Sequence, residues 1–433
     1  MNRRVLIVSP HFPPVNAADH QRIRMSLPYF AEFGWEPIIL SVDTNFIEGI
    51  FDPNLSLTVP SNIEIIKSYA IPPKISRKIG MGNLAFRSIP FLINTISKYL
   101  EENLIDLVYF STTVFITMVL GRYWLKRYKI PYILDFQDPW LSDYYDRTDN
   151  LPPGGKLKYA IAQAFAKTLE PFALKKASHI TSVSPEYPKV LMQRYSWLKA
   201  EQFTVLPFGA PEQDFQILAN LKIKQQIFDP NDGYQHWVYV GRGGEDMSFS
   251  LKLLFATIQT HRQQCPEAWQ KIKLHFVGTK YSIFDNNKEI EAIAKSHNIH
   301  DIVTEHPQRI PYFEALQVLV DSHAILIIGS DDASYSASKV YPCILARKPI
   351  LAILHQQSLV VDVIKDCQAG YAITFTNDSI KIDLSNCLTQ GIQWLLESCN
   401  QDFIPTTDWQ AFEPYTAKRM TQMLCNIFDK IAE

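Results

Sequence analysis

The residues best suited to chemistry stand where apolar runs give way to turns. Gly241-Arg242-Gly243-Gly244 follows one such run. Glycines at a strand exit let backbone amides face phosphate oxygens with no Cβ in the way, and the planar guanidinium of Arg242 suits a diphosphate. The same residues also read as a plain glycine turn capped by Asp246, with Arg242 on the surface. A second turn, from Gly329 through Ser330, Asp331, Asp332, Tyr335, Ser336 and Ser338, leads to Lys339. Ser338 is expected to cap a helix over residues 338–346, whose positive end would join Lys339 in neutralising a departing anion. Asp331-Asp332 allows a Mg²⁺ site, while paired carboxylates also serve as solvated turn residues. Neither a Walker loop nor a spaced GxGxxG is present.

Two further turns carry titratable groups. Residues 134–140 bring Asp135 and Asp138 to the end of a strand, read here as facing one side of an extended segment. One carboxylate then orients the other or raises its pKa, as a general base requires. The alternative makes Asp138 a cap and Trp140 core. The turn from Pro10 to Asp19 places the small residues Ala17 and Ala18 just before a helix start, where a bound group would approach free N–H groups. An ordinary connecting loop explains that turn as well.

These turns need a scaffold that aims them. Apolar strand-length runs at residues 4–9, 36–42, 63–68, 107–111, 132–135, 179–183 and 203–206 alternate with helical patterns at 20–33, 114–128 and 185–195. The pattern restarts with strands at 236–240, 273–277, 302–305, 324–328, 350–354 and 371–374, separated by helices at 250–263, 288–296, 311–322 and 338–346. This predicts an α/β protein of two Rossmann-like, doubly wound domains facing each other across a cleft. Residues 1–210 form the first, completed by a C-terminal helix at 408–433 that crosses back, and residues 220–404 form the second. The boundary falls between about 207 and 235, and residues 146–156, with Pro-Pro-Gly-Gly, read as a mobile loop.

Composition narrows the function class. The chain has 433 residues with Lys+Arg 42 against Asp+Glu 44, a net charge of −2. That balance gives no cationic surplus for nucleic acid. The six cysteines have no CxxC or zinc-type spacing and are expected as free thiols in a reducing cytoplasm. No apolar stretch is long enough to span a membrane. Residues 74–100 and 156–176 mix lysine and arginine with apolar residues, which suits either peripheral contact with an anionic membrane or ordinary packing with a cationic rim.

Read in order, the segments resemble the large retaining family 4 of GT-B glycosyltransferases over nearly the whole chain. Ile7-Val8-Ser9-Pro10-His11-Phe12-Pro13-Pro14 is similar to that family's first strand and proline turn. Leu134–Trp140 resembles an aspartate-phenylalanine-arginine-aspartate-proline-tryptophan run, with Gln137 in place of arginine. Leu206-Pro207-Phe208-Gly209-Ala210, Tyr239-Val240-Gly241-Arg242, Phe276-Val277-Gly278, Ser338-Lys339-Val340-Tyr341 and Ala346–Ile350 follow in the family's order.

The resemblance implies transfer of a sugar from a UDP-, GDP- or dTDP-sugar to the hydroxyl of a glycan, lipid-linked glycan or natural product. It implies retention of configuration, no bound metal and no cofactor beyond the sugar nucleotide. Donor contacts would come from Gly241, Arg242, Gly243, Gly244, Gly278, Arg309, Ile310, Ser336, Ser338, Lys339 and Tyr341. Acceptor contacts would come from Asn16, Ala17 and Asp19, and His11, Asp135 and Asp138 would be the catalytic candidates. The chain departs from the family pattern in three ways. The usual glutamates seven residues apart are missing, with Pro342 at the second position and Ser334 at or near the first. Met247 stands near the place of a lysine in the diphosphate loop, and the family's catalytic-region histidine is not evident, which shifts weight to Asp138. Two other readings keep the fold: a sugar-nucleotide epimerase, and a binding subunit that does not catalyse.

Overall fold

The computed structural model describes residues 3–79, 82–141, 155–280, 285–332, 335, 338–376, 381–400 and 404–433. The chain divides into two compact units, Met1–Gly209 with Ala417–Glu433, and Ala210–Thr416.

The described residues of the first unit form seven parallel strands: β1 (Arg3–Val8), β2 (Trp35–Val42), β3 (Glu64–Ser68), β4 (Leu107–Ser111), β5 (Tyr132–Phe136), β6 (His179–Ser182) and β7 (Phe203–Val205). Their order in space is β3-β2-β1-β4-β5-β6-β7. Strands covered on both faces read as unbroken apolar runs, and Val5, Leu6, Ile7 and Val8 are all fully buried. Alternate residues serve opposite faces. Leu6 and Val8 pack with Leu92, Ile96 and Trp124, while Val5 and Ile7 pack with Ile23, Phe30 and Phe428. Phe428 belongs to the terminal helix Ala417–Ala432 and meets Trp35 and Tyr109 edge-on at 5.2 and 5.3 Å.

The second unit repeats the plan with β8 (Gln235–Val240), β9 (Ile272–Val277), β10 (Val303–His306), β11 (Ala324–Ile328), β12 (Ile350–His355) and β13 (Tyr371–Phe375), ordered β10-β9-β8-β11-β12-β13. In both sheets the order reverses beside the first strand, between β1 and β4 and between β8 and β11. Such a switch point separates the flanking connections and leaves the carboxyl ends of two central strands open to a ligand.

The helices depart from expectation where proline intervenes. The segment 20–33 is divided into Gln21–Ser26 and a 3₁₀ turn at Phe30–Phe33, since Pro28 cannot donate its backbone bond. Residues 408–432 are likewise not one helix. Trp409–Phe412 belongs to the second unit, Pro414 lies in a 3₁₀ turn, and only Ala417–Ala432 joins the first. Residues 212–220, expected within the linker, form a helix of the second unit held by the Tyr312 hydroxyl on Asp214 at 2.6 Å. The expected loop at 146–156 lies outside the described residues up to 154.

A buried ion pair ties the first unit together. Arg22 Nε donates to Asp135 Oδ2 at 2.8 Å, and both side chains are fully buried. The same carboxylate accepts from Ser111, Gln137 and Thr181 at 3.0, 2.9 and 2.9 Å. The rest of the guanidinium donates to the carbonyls of Leu206 and Pro207 at 2.7 and 3.1 Å, where the chain leaves β7. Removing one partner of such a pair strands a charge in a dry interior, which costs about 3–5 kcal/mol. Asp135→Ala is therefore expected to lower the unfolding free energy by that amount in urea titration. An unchanged midpoint would show that the pair contributes nothing.

The second sheet carries a diagonal row of imidazoles from β8, β9 and β10. His236 Nε2 donates to Asp229 O and Asp232 Oδ1, both at 3.1 Å, so its Nδ1 accepts from His275 Nε2 at 3.0 Å. His275 Nδ1 and His306 Nε2 are buried with no hydrogen-bond partner among the described residues. Burial, then His236 and His306, push the His275 pKa down to about 3, and burial with Lys288 lowers that of His306. A histidine depressed in the folded state stabilises fully above its unfolded pKa, ~6.5, and loses that contribution as pH falls. Denaturant midpoints should therefore drop below about pH 6.5, and His275→Phe should flatten the drop. A pH profile identical in the variant would rule the row out as its cause.

Candidate functional site

The carboxyl ends of β8, β9, β10 and β11 bring four loops into mutual contact within the second unit. Gly243 N–H donates to Thr279 O at 2.7 Å, Lys280 N–H to Pro307 O at 2.9 Å, and Asp331 N–H to Asp246 O at 2.9 Å. Ser250 adds a bond to Gly329 O at 2.9 Å. Two glycines are required here by geometry. Gly278 has φ 73, and a Cβ on Gly329 would lie 2.7 Å from Ile353 O.

Arg242 sits in this cluster, half-buried. Its two terminal nitrogens bind Asp246 at 2.9 and 2.7 Å, and its guanidinium lies 4.6 Å from the ring centre of Tyr335. Burial opposes the Asp246 charge, but Arg242 outweighs it and holds that carboxyl below its ordinary range. Asp331 moves the other way, raised by burial and then by Asp246 and Asp332. The fork that the sequence assigns to a diphosphate is thus pre-shaped by a carboxylate that an incoming phosphate would have to share or displace.

Lys339 lies where the helix Val340–Leu345 begins, and it, not Ser338, occupies the cap position. The β-region geometry and side-chain bond of a serine cap are absent, so the expected Ser338 cap is replaced by a lysine. The Lys339 side chain reaches solvent, yet the protein crowded around it, and then Arg309 and Arg242, lower its pKa to about 8. Arg309 and Ile310 stand on the loop after β10, with the Arg309 Cα 3.9 Å from the Cβ that Gly278 lacks. Tyr341 is 3% exposed and stacks near Tyr415 at 6.2 Å, a packing role within the unit. Glu305, near the end of β10, caps the helix Glu289–Ser296 through the Ile290 and Glu291 amides at 2.8 and 3.2 Å. Ser336 lies outside the described residues.

In the first unit the structure separates Asp135 from Asp138. β5 ends at Phe136, and side chains alternate along it, so the residue sharing Asp135's side is Gln137, bonded to it at 2.9 Å. Asp138 follows on the exposed loop. Asp135 is spent on Arg22, and Trp140 stacks on Phe115 at 5.6 Å. The carboxylate pair expected to supply a general base does not form on β5.

A different pair forms at the β1/β4 switch point. His11 Nδ1 lies 3.0 Å from Asp19 Oδ2, which also accepts from Thr112 Oγ1 at 3.1 Å. Asp19 is buried, while His11 keeps partial exposure. Burial opposes charge on both, but their mutual attraction wins. The His11 pKa is raised and that of Asp19 is lowered. With Nδ1–H donated to Asp19, the neutral ring carries its lone pair on Nε2. The next residue, His20, differs: it donates Nε2–H to Val15 O at 2.7 Å, and burial brings its pKa down to about 4. Asn16 donates its backbone N–H to Ile50 O at 2.8 Å, and Ala17 is half-buried beside it. Asp19, expected among acceptor contacts, is a partner of His11 instead. Nothing in the spacing of residues 11 and 19 reveals this, because an irregular loop has no period.

Solved structures share this architecture. Sucrose-phosphate synthase from Thermosynechococcus elongatus superposes with a TM-score of 0.61 at 14% identity, over 99% of this chain and 98% of that one. HepE from Anabaena, in complex with UDP and glucose, gives 0.59 at 14% identity over 99% and 100%. A glycosyltransferase from Rickettsia africae gives 0.58 at 12% identity over 99% and 98%.

The fold is GT-B.

No family model matches the chain, and no curated protein sequence does. At this identity the GT-B likeness is one of architecture.

A diphosphate held at the β8/β11 edge would depend on Arg242 and on a charged Lys339. Arg242→Ala is expected to weaken UDP binding more than about tenfold, the ~1.4 kcal/mol scale of one charged contact. Affinity should also fall as pH rises through the Lys339 pKa of about 8, and Lys339→Gln should remove that dependence. Titration calorimetry measures both, and an unaltered dissociation constant in Arg242→Ala would take that residue out of the site.

Proposed function

We propose that the protein is a glycosyltransferase that moves a sugar from a nucleotide-sugar donor to an acceptor hydroxyl. One observation carries the reading: four loops bonded together at the switch point of the second sheet, presenting the Gly241–Gly244 turn, Arg242, Arg309 and Lys339. Positive side chains fixed in place before the reaction stabilise charge on a departing diphosphate without solvent reorganisation. HepE, which shares the fold, was solved with UDP and glucose, which supports a UDP-sugar as the first donor to test, ahead of GDP- and dTDP-sugars. No protein-bound metal is invoked in this scheme.

In the first unit, His11 is the proposed base. The acceptor hydroxyl gives its proton to Nε2 while its oxygen bonds to the anomeric carbon, and the bond from that carbon to the diphosphate breaks. Asp19 holds the ring in the required tautomer and stabilises the imidazolium. Retention, carried by the resemblance to family 4, is part of the proposal. The His11–Asp19 pair favours a second reading, single displacement with inversion, because a positioned base serves attack opposite the leaving group. The anomeric configuration of the product decides between them.

A thermal-shift screen of sugar nucleotides followed by nucleotide-release assays tests the whole. Release that requires acceptor supports transfer, turnover without acceptor points to an epimerase, and no sugar-nucleotide affinity points to a binding subunit. His11→Ala should lower kcat by about 10²–10⁴-fold with little change in UDP affinity. Because His11 must be neutral to act and its pKa is raised, the acid limb of kcat/KM should lie above pH ~6.5. Asp19→Asn should move that limb to lower pH. Full turnover in His11→Ala would refute the assignment.

A further inference from the structure

The Lys156–Leu174 helix of the first unit is poorly accounted for by its own fold. Over its 19 residues only Ala166, Glu170, Ala173 and Leu174 are buried, all in the second half. Leu157, Ile161, Phe165 and Phe172 are 76%, 52%, 44% and 43% exposed. Their spacing of four, four and seven puts them on one stripe of the helix. A stripe facing solvent over this length is the reverse of what a core-facing helix shows.

Among the described residues, the exposed charges on this helix and at its two ends are of one sign. Lys156 and Lys158 flank Leu157 on either side, Lys175 and Lys176 follow the helix end, and all four are exposed. The helix has one acidic residue, Glu170, which is fully buried and bound to Arg194 and Tyr195 at 2.6 and 2.9 Å. It cannot neutralise the lysines. Phe165 meets Phe86 edge-on at 5.1 Å, so the neighbouring Leu84–Glu102 helix, with Phe91 36% exposed, adjoins the same stripe. Among the described residues no helix is long and apolar enough to cross a membrane.

We propose that this face docks the protein on an anionic lipid bilayer, with the stripe entering the acyl boundary and the lysines lying at the headgroups. An apolar row bordered by long cationic side chains matches an interfacial helix, since the lysine stems can extend along the bilayer while their charges stay at the phosphates. Two copies of the chain meeting through this face would set lysine rows against each other, so the charge favours lipid over self-association. The proposal stands apart from the donor site in the second unit, and either can fail without the other.

Flotation of the full chain with phosphatidylcholine vesicles, with and without phosphatidylglycerol, tests it. Binding is expected only with the anionic lipid and should weaken as salt screens the lysines. Leu157→Ser with Ile161→Ser should reduce the bound fraction at least tenfold while leaving UDP affinity unchanged. Both positions are solvent-exposed, and a thermal melt checks that the variant folds. A second variant, with Lys156, Lys158, Lys175 and Lys176 changed to Gln, should lose the salt-dependent part. No binding to anionic vesicles overturns the proposal, as does binding that neither variant reduces. A dimer in sedimentation that the serine variant abolishes, without vesicle binding, assigns the face to a second copy instead.

Discussion

The chemistry of this protein depends on a topological constraint, the reversal of strand order beside the first strand of each parallel sheet. Strands on either side of β1 and β4, or of β8 and β11, are connected in opposite directions, so no connection crosses the carboxyl ends of the central pair. The two candidate sites fall at these openings. His11, Asp19 and Thr112 follow β1 and β4, and Arg242, Asp246 and Tyr335 follow β8 and β11. Their positions follow from the winding of the sheets and not from any local motif.

Each opening is shaped by buried polar groups that a core of aliphatic side chains could not supply. In the first unit, Arg22 and Asp135 join a helix, three strands and the chain after β7 through one carboxylate and one guanidinium. In the second, Asp246 fixes Arg242 and Glu305 closes the Glu289–Ser296 helix. Low local dielectric strengthens each of these contacts and makes an unpaired member costly, so the loops are held in one arrangement before a ligand arrives. The two carboxylates differ in consequence. Asp135 is enclosed and bound on all sides, whereas Asp246 stands beside an opening where an anion can compete for its arginine.

The two histidine settings show how environment divides one residue type between roles. His11 keeps a buried carboxylate on one nitrogen and partial access to solvent, so its pKa rises and it can exchange a proton. His20, one position beyond Asp19 and fully buried against a carbonyl, falls to about 4 and stays neutral. The His236–His275 pair is buried in the same sense and serves packing.

The thirteen strands of the described residues were legible in the sequence to within one residue at each end, the central ones because a strand covered on both faces must be an unbroken apolar run, as Val5–Val8 and Ile325–Ile328 are. The glycine turn at 241–244 was legible too, since a loop must follow a strand that ends in glycine. Helix limits at Pro28 and Pro414 shifted because proline removes a backbone donor whatever the apolar period says. The site residues were decided by tertiary structure. Asp135 and Asp138 stand close in the chain, yet Asp135 is taken by Arg22, which stands 113 residues away. His11 and Asp19 meet through an irregular loop with no period to read. Sequence determines which surfaces must be buried, because that depends on each residue's own polarity. Which carboxylate is left to do chemistry depends on what the fold places beside it.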